Sequence, residues 1–249
     1  MGISKEILPN MGNNVPPHAP LFHTKRAVTL LGGGAVARAD LDLALAFAPD
    51  LVAADGGAGH AVAAGHLPLA VYGDMDSLSA EMRAAIPPER IHVLAEQDST
   101  DFDKALRHIQ APIVIALGFS GDRVDHELAV YHGLAMRADV RCIVLGAHDL
   151  VVHAPPRLVL DLPAQTRLSL FPLGDVTGQS AGLVWPIDGL AFHPARKIGT
   201  SNMTRGGVVD LRFDAPGMLV ILPRDHLAAV AQAMREASVW SRATGAAWV

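Results

Sequence analysis

Six short apolar runs set the strongest limit on how this chain can fold. They lie at residues 27–31, 51–54, 69–72, 91–94, 113–117 and 142–145. Each has the length and the largely apolar character of a strand buried on both faces. Stretches suited to helices separate them, at about 35–47, 57–65, 79–85, 100–109 and 124–137. Strands that alternate with helices require right-handed crossovers, and so predict an α/β fold with a mostly parallel sheet flanked by helices.

Beyond about residue 147 the helical stretches stop. Runs at 150–153, 157–160, 167–171, 183–185, 208–213 and 218–222 are short, β-like and punctuated by Gly and Pro. They predict a smaller antiparallel β-sandwich domain. The expected organisation is a loose tail over 1–25, an α/β domain over 26–147, a β-sandwich over 148–223, and a C-terminal helix and tail over 224–249. The tail holds four prolines and three asparagines without apolar periodicity. Pro155-Pro156 reads as a linker. Pro223 and Asp225 mark the start of the last helix.

Composition removes several function classes. A single cysteine, Cys142, excludes an internal disulfide framework and a zinc site built on several thiolates. A net charge of −5 argues against nucleic-acid binding by bulk charge. No apolar run approaches the roughly 18 residues of a membrane span. The opening Met-Gly-Ile-Ser-Lys-Glu reads as neither a secretory leader nor a myristoylation signal, so the expectation is a cytoplasmic protein without membrane partners.

In an open parallel sheet, ligands bind beyond the carboxyl ends of the strands. Five of the expected strands are followed there by glycines or acids: Gly32-Gly33-Gly34, Asp55-Gly56-Gly57, Gly73-Asp74-Met75-Asp76-Ser77, the segment from Glu96 to Lys104, and Gly118 to His126. In extended chain, Asp74 and Asp76 point the same way. A bound cation would relieve the repulsion between them, and oxygen ligands without thiolates favour Mg²⁺ over Zn²⁺. The same sequence also suits a turn or a helix cap. With Asp55 and Asp101 on the same edge, the metal reading is preferred.

Ser99 or Thr100 can cap the next helix, on which Asp101 and Lys104 share one face. Asp101 would help hold metal, and Lys104 would meet phosphate oxygens. The loop from Gly118 to His126 offers backbone N–H groups, Gly121 among them, and a helix start to an anion, with Arg123 as a clamp. Asp125 sits where a carboxylate also simply complements the helix dipole, and His126 reads as structural. Gly32-Gly33-Gly34-Ala35-Val36-Ala37, with Asp55 about twenty residues on, matches a dinucleotide fingerprint. The converging carboxylates downstream favour a metal-bound triphosphate over a nicotinamide. No Walker loop, nucleophile elbow or paired-histidine metal motif occurs.

Taken together, Ala54-Asp55-Gly56-Gly57-Ala58, Gly73-Asp74-Met75-Asp76-Ser77, Gln97-Asp98-Ser99-Thr100-Asp101-Phe102-Asp103-Lys104 and Gly121-Asp122-Arg123-Val124-Asp125-His126 resemble the thiamine pyrophosphokinase family in order and spacing. Ser169-Leu170-Phe171-Pro172-Leu173, Gly182-Leu183-Val184-Trp185-Pro186 and Thr200-Ser201-Asn202 extend the resemblance over about residues 26–222. It implies an α/β domain followed by a β-sandwich, in a homodimer with thiamine between one subunit's catalytic domain and the other's sandwich. It implies transfer of a pyrophosphoryl group from ATP to the thiamine hydroxyl, with Mg²⁺ as cofactor and AMP released. The implied catalytic set is Asp55, Asp74, Asp76, Asp101, Lys104 and Asp125, with Asp74, Asp76 and Asp101 on the metal. The implied ATP-binding set is Gln97, Asp98, Thr100, Lys104, Gly121, Arg123 and Asp125, and Ser201 and Asn202 would meet thiamine. Either Asp101 or Asp74 could take the hydroxyl proton. Asp122 departs from the usual Gly-Gly-Arg of that loop. The rivals are a pyrophosphokinase for a pterin-like alcohol and a non-catalytic Mg-nucleotide sensor.

Overall fold

The computed structural model describes residues 21–94, 96, 99–121 and 123–241. In chain order the first half runs β1 (Phe22–His23), β2 (Val28–Leu31), α1 (Arg38–Phe47), β3 (Asp50–Ala54), α2 (Gly57–Ala63), β4 (Ala70–Gly73), α3 (Ala80–Ala85), β5 (Ile91–Val93), α4 (Asp101–His108), β6 (Ile109–Gln110), β7 (Val114–Leu117), α5 (Val124–Met136) and β8 (Cys142–Leu145). The second half runs β9 (Asp149–His153), β10 (Arg157–Leu162), β11 (Arg167–Pro172), β12 (Val176–Ala181), β13 (Ala191–Phe192), β14 (Gly199–Met203), β15 (Gly207–Phe213), β16 (Met218–Pro223) and α6 (Leu227–Glu236).

The six expected buried strands form one parallel array, β8-β7-β2-β3-β4-β5. All residues of β2, β3, β4, β7 and β8 are buried, Thr29 and Asp50 included, as helices on both faces require. β5 is the edge strand and is only partly covered.

The sheet does not stop where the parallel part ends. β8 turns through a hairpin into β9, and the ladder continues antiparallel through β16 and β11 to β14, giving ten strands in all. The expected boundary at 147/148 falls inside that hairpin, closed by Gly146 N–H donating to the Asp149 carbonyl at 2.8 Å. The mostly parallel sheet of the sequence reading is therefore a mixed sheet that supplies one layer of the C-terminal half. The second layer is the four-stranded antiparallel sheet β10-β15-β12-β13. Pro155 and Pro156 lie where the chain crosses from one layer to the other.

A continuous core explains this arrangement. Leu158, Leu160, Leu162, Leu168, Leu170, Leu211 and Phe213 cluster with Leu31, Ile115 and Ile143 of the parallel array. α6 seals it with Leu227, Val230 and Met234. Each such side chain contributes about 1.5–3 kcal/mol when fully buried. Arg224 ties the start of this segment to α1 through Asp40 at 2.6 Å. Among the described residues, no helix is long and apolar enough to cross a membrane.

Three local expectations change. Phe22–His23 is not loose tail: it pairs in parallel with Ile109–Gln110. Residues 183–185 form no strand, only an isolated bridge from Leu183 to Thr204. A strand at Val176–Ala181, polar on its outer face and not expected from the sequence, pairs between β15 and β13.

His153, at the end of β9, is buried, and its Nε2 accepts the Gly217 N–H at 2.8 Å. Burial holds its pKa down at about 4. The unfolded chain takes up this proton near 6.5, so folding stability falls as pH drops from about 6.5 to about 4. Denaturant unfolding across that range should show His153→Gln losing less stability on acidification than the unsubstituted chain. Equal losses would mean that His153 is not the group responsible.

Candidate active site

Because β7, β2, β3, β4 and β5 are adjacent and parallel, their following loops share one edge. At the reversal of strand order, between β2 and β7, the crevice is closed by backbone contact. Gly32 and Gly34 donate their N–H groups to Leu117 and Gly118 carbonyls at 2.8 and 2.9 Å. A Cβ on Gly32 would sit 2.6 Å from the Gly118 oxygen. The glycine run thus serves a tight crossing of two loops, and two of its N–H groups are not available to a dinucleotide pyrophosphate.

The acids gather one and two strands away. Asp55 ends β3, while Asp74 and Asp76 follow β4. One oxygen of each lies within 4.8 Å of the others, and this is the possible metal-holding group found among the described residues. Asp55 is 6% exposed, and its Oδ1 is buried with no hydrogen-bond partner. Its backbone is left-handed, φ 41°, with its N–H held by the Tyr72 carbonyl at 2.7 Å. Gly73 opposite has φ 150°, and a Cβ there would approach Asp55 Cβ to 2.9 Å. Asp74 Oδ1 accepts the Asp76 N–H at 3.3 Å, and Asp76 accepts Ser77 Oγ–H at 2.9 Å.

α4 packs across β3 and β4 and brings in Asp101 and Lys104. Lys104 is buried, and its Nζ donates to Asp101 Oδ1 at 3.4 Å. Desolvation raises the Asp101 pKa, the charges of Asp55 and Asp74 push the same way, and Lys104 opposes them. Asp101 stands outside the close trio. Of the expected metal set, Asp74 and Asp76 fall in the close trio with Asp55, because consecutive parallel strands bring the loops after β3 and β4 together, while Asp101 stands beside them on α4. Thr100 is the helix cap, with its Oγ1 accepting the Asp103 N–H at 3.3 Å.

The glycine loop before α5 is closed by its own contacts. Arg123 and Asp125 are both exposed and pair with each other at 2.6 Å. That contact raises the Arg123 pKa and lowers that of Asp125. Gly121, φ 111°, donates its N–H to Glu127 at 3.2 Å, and Glu127 also accepts the Tyr131 hydroxyl at 2.5 Å. The sequence reading missed Glu127; its spacing of four from Tyr131 on one helix face was the available signal. Asp103 belongs to a structural network with Arg107 and Arg137. Gln97, Asp98 and Asp122 lie outside the described residues.

Ser201 and Asn202 sit on β14, seven strand spacings from β3, or roughly 34 Å along the sheet at about 4.8 Å each. Ser201 is exposed, with φ 62°. The Asn202 side chain is occupied: Nδ2 donates to the Trp185 carbonyl at 2.7 Å, and Oδ1 accepts the Trp185 and Met203 N–H groups at 3.3 and 2.7 Å. Arg205 binds the Leu183 carbonyl of the same loop at 2.9 Å. The latch holds Trp185 outward, 55% exposed.

Fold and site together define an α/β protein that collects carboxylates at the carboxyl edge of its parallel strands. Residues 41–144 match the family described as "Thiamin pyrophosphokinase, catalytic domain". The chain is 24% identical over 169 residues to thiamine pyrophosphokinase 2 of Oryza sativa subsp. japonica, covering 60% of this chain and 63% of that one. It is 26% identical over 180 residues to thiamine pyrophosphokinase 3 of the same plant, covering 64% and 67%. Solved structures agree in fold. A protein from Lactobacillus plantarum superposes with a TM-score of 0.68 at 26% identity, covering 80% of this chain and 99% of that one. Thiamin pyrophosphokinase from Candida albicans gives 0.69 at 14% identity, covering 84% and 94%. Over these stretches the chain is similar to thiamine pyrophosphokinases in sequence and fold.

Asn202→Ala leaves partly buried Trp185 and Met203 backbone groups without this partner, at an expected cost of about 1 kcal/mol. Hydrogen exchange should speed up at the Trp185 and Met203 amides and stay slow in β3 and β4. Unchanged exchange at those two amides would show that the side chain does not hold the loop.

Proposed function

We propose that this chain transfers the pyrophosphoryl group of ATP to the hydroxyl of thiamine, forming thiamine diphosphate and AMP. The observation that carries the reading is the carboxylate trio at the sheet edge beside a buried lysine, in a chain similar to this family. The hydroxyl oxygen bonds to the β-phosphorus, its proton passing to a carboxylate of the edge, Asp101 or Asp74, as the bond from that phosphorus to the α-phosphate oxygen breaks and AMP leaves.

The buried, unpartnered oxygen of Asp55 and the all-oxygen donor set fit a hard divalent cation such as Mg²⁺. When bound, such an ion neutralises charge on phosphate oxygens. Asp55, Asp74 and Asp76 would hold it, with Asp101 beside them. Lys104, directed by Asp101 and shielded from water, places a fixed positive charge where phosphate oxygens gather. The Gly118–Gly121 loop and Arg123 would take the nucleotide phosphates once Arg123 leaves Asp125 and Gly121 leaves Glu127. Gln97, Asp98 and Thr100 belong to the nucleotide side by the family resemblance.

Ser201, and Trp185 held by Asn202, form the thiamine side. At roughly 34 Å along the sheet from the carboxylates, they reach the same substrate only from a second copy of the chain. The proposal therefore includes a homodimer with a composite site. A cytoplasmic location accords with the single free, buried cysteine and with ATP as substrate.

A turnover assay with ATP, Mg²⁺ and thiamine tests the reading. AMP and thiamine diphosphate should appear in equal amounts, and EDTA should abolish both. ADP in place of AMP would refute pyrophosphoryl transfer. Turnover of a hydroxymethylpterin in preference to thiamine would refute the acceptor.

A further inference from the structure

One guanidinium, which the reaction above does not use, holds the residues that lead from β5 into α4. We propose that Arg107 is a positioning residue for the nucleotide: by tying Glu96 and Ser99 to α4, it fixes where Thr100, Asp101 and Lys104 stand against the sheet edge. This deepens the nucleotide reading above and rests on it.

Arg107 lies in the last turn of α4, and helix side chains lean back toward the helix start. Its side chain is 16% exposed. The guanidinium takes both carboxylate oxygens of Glu96, Nη2 donating to Oε1 and Nη1 to Oε2, the latter at 3.5 Å. Nη2 also donates to Ser99 Oγ at 2.9 Å and lies 3.4 Å from Asp103 Oδ2. Ser99 in turn donates its hydroxyl to Glu96 at 2.6 Å. Arg137 of α5 closes the network, its Nε donating to Asp103 Oδ1 at 3.0 Å. Both ends of this network lead to the site. Leu94, two residues before Glu96, donates its N–H to the Gly73 carbonyl at 2.8 Å, next to Asp74. Ser99 precedes Thr100, whose hydroxyl caps the turn that carries Asp101 and Lys104. Arg107 therefore joins the chain leaving the aspartate edge to the helix that brings in the lysine. The charges say how it acts. Arg107 and Arg137 face Glu96 and Asp103, so cations and carboxylates balance and the cluster offers no net charge to a phosphate. Its contribution is geometric: a guanidinium that forks onto one carboxylate while holding a hydroxyl and a second carboxylate pre-organises the chain it binds.

Arg107→Gln, Glu96→Gln and the double substitution in the full chain test the proposal. The probe is α,β-methylene ATP with Mg²⁺, followed by calorimetry without thiamine. Each single substitution should weaken binding about tenfold, as when the receptive arrangement falls to about a tenth of the population. The double substitution should weaken it no further, because both changes remove the same contact. Arg107→Lys, which keeps the charge and loses the fork, should regain only part of the affinity. In turnover, the KM for ATP should rise by the same factor, more than kcat falls, while the KM for thiamine stays. A guanidinium that met phosphate directly would give the opposite sign in Glu96→Gln, which would free it and tighten binding. Tightening in Glu96→Gln, additive losses in the double substitution, or no analogue binding by the unsubstituted chain would each overturn the proposal. So would a lowered melting temperature in Arg107→Gln with unchanged affinity, the mark of a structural role alone. Should Arg107→Gln not fold, Glu96→Gln and Arg107→Lys carry the same comparison. Formation of AMP and thiamine diphosphate by the unsubstituted chain is a separate result, so the positioning role can fail while the proposed function stands.

Discussion

Parallel pairing is the constraint on which the rest of this structure depends. It sends the loops after β7, β2, β3, β4 and β5 to a single edge. All but the edge strand β5 are buried on both faces, which leaves the loops as the places where polar groups can stand. Asp55 and Asp74 become neighbours because β3 and β4 are neighbours in register, with Ala54 beside Tyr72. The Asp55 backbone is held to Tyr72, so its carboxylate is directed by the ladder itself and not by a mobile loop. α4, capped by Thr100, then brings Lys104 under the same edge. Like charges concentrated at one spot favour an unbound state poorly and a cation-bound state well.

Much of this was legible in the residues, for an identifiable reason. Buried parallel strands read as continuous apolar runs, and a short loop after each one leaves little freedom about where its acids point. The runs at 142–145 and 51–54 match the observed strands to within a residue. What escaped was whatever depends on distant pairing. β12 is polar on its outer face and contains Gly178, so it lacks the apolar signal of a strand, and its place is set by β15. Residues 183–185 are apolar, yet they form a loop because Asn202 and Arg205 bind their backbone. The continuity of the large sheet through the β8–β9 hairpin was equally invisible, since a composition shift at 147 marks a change of strand direction and not an end of the sheet.

At the site, residue types were readable and their grouping less so. The spacing of Asp74 and Asp76 indicated a pair directly. The inclusion of Asp55 depends on strand order, which one sequence does not display. Asn202 illustrates the opposite case: a polar residue in a substrate-like motif whose side chain is spent on backbone groups, so that its effect on any ligand passes through Trp185. Arg123 and Asp125 lie near each other in sequence and satisfy each other in the structure, so a phosphate must compete with an existing ion pair.

On the proposed reading, the carboxylate edge at β3 and β4 and the β14 end of the ten-stranded sheet supply the two halves of a composite site. The most direct test is a crystal structure with Mg²⁺, thiamine and a non-hydrolysable ATP analogue. The account predicts an ion on the aspartate edge, the β-phosphorus facing the thiamine hydroxyl, and Trp185 and Ser201 of a second copy against the thiamine. Thiamine bound within one chain away from Asp74, or a nucleotide with its γ-phosphorus turned to the hydroxyl, would contradict it.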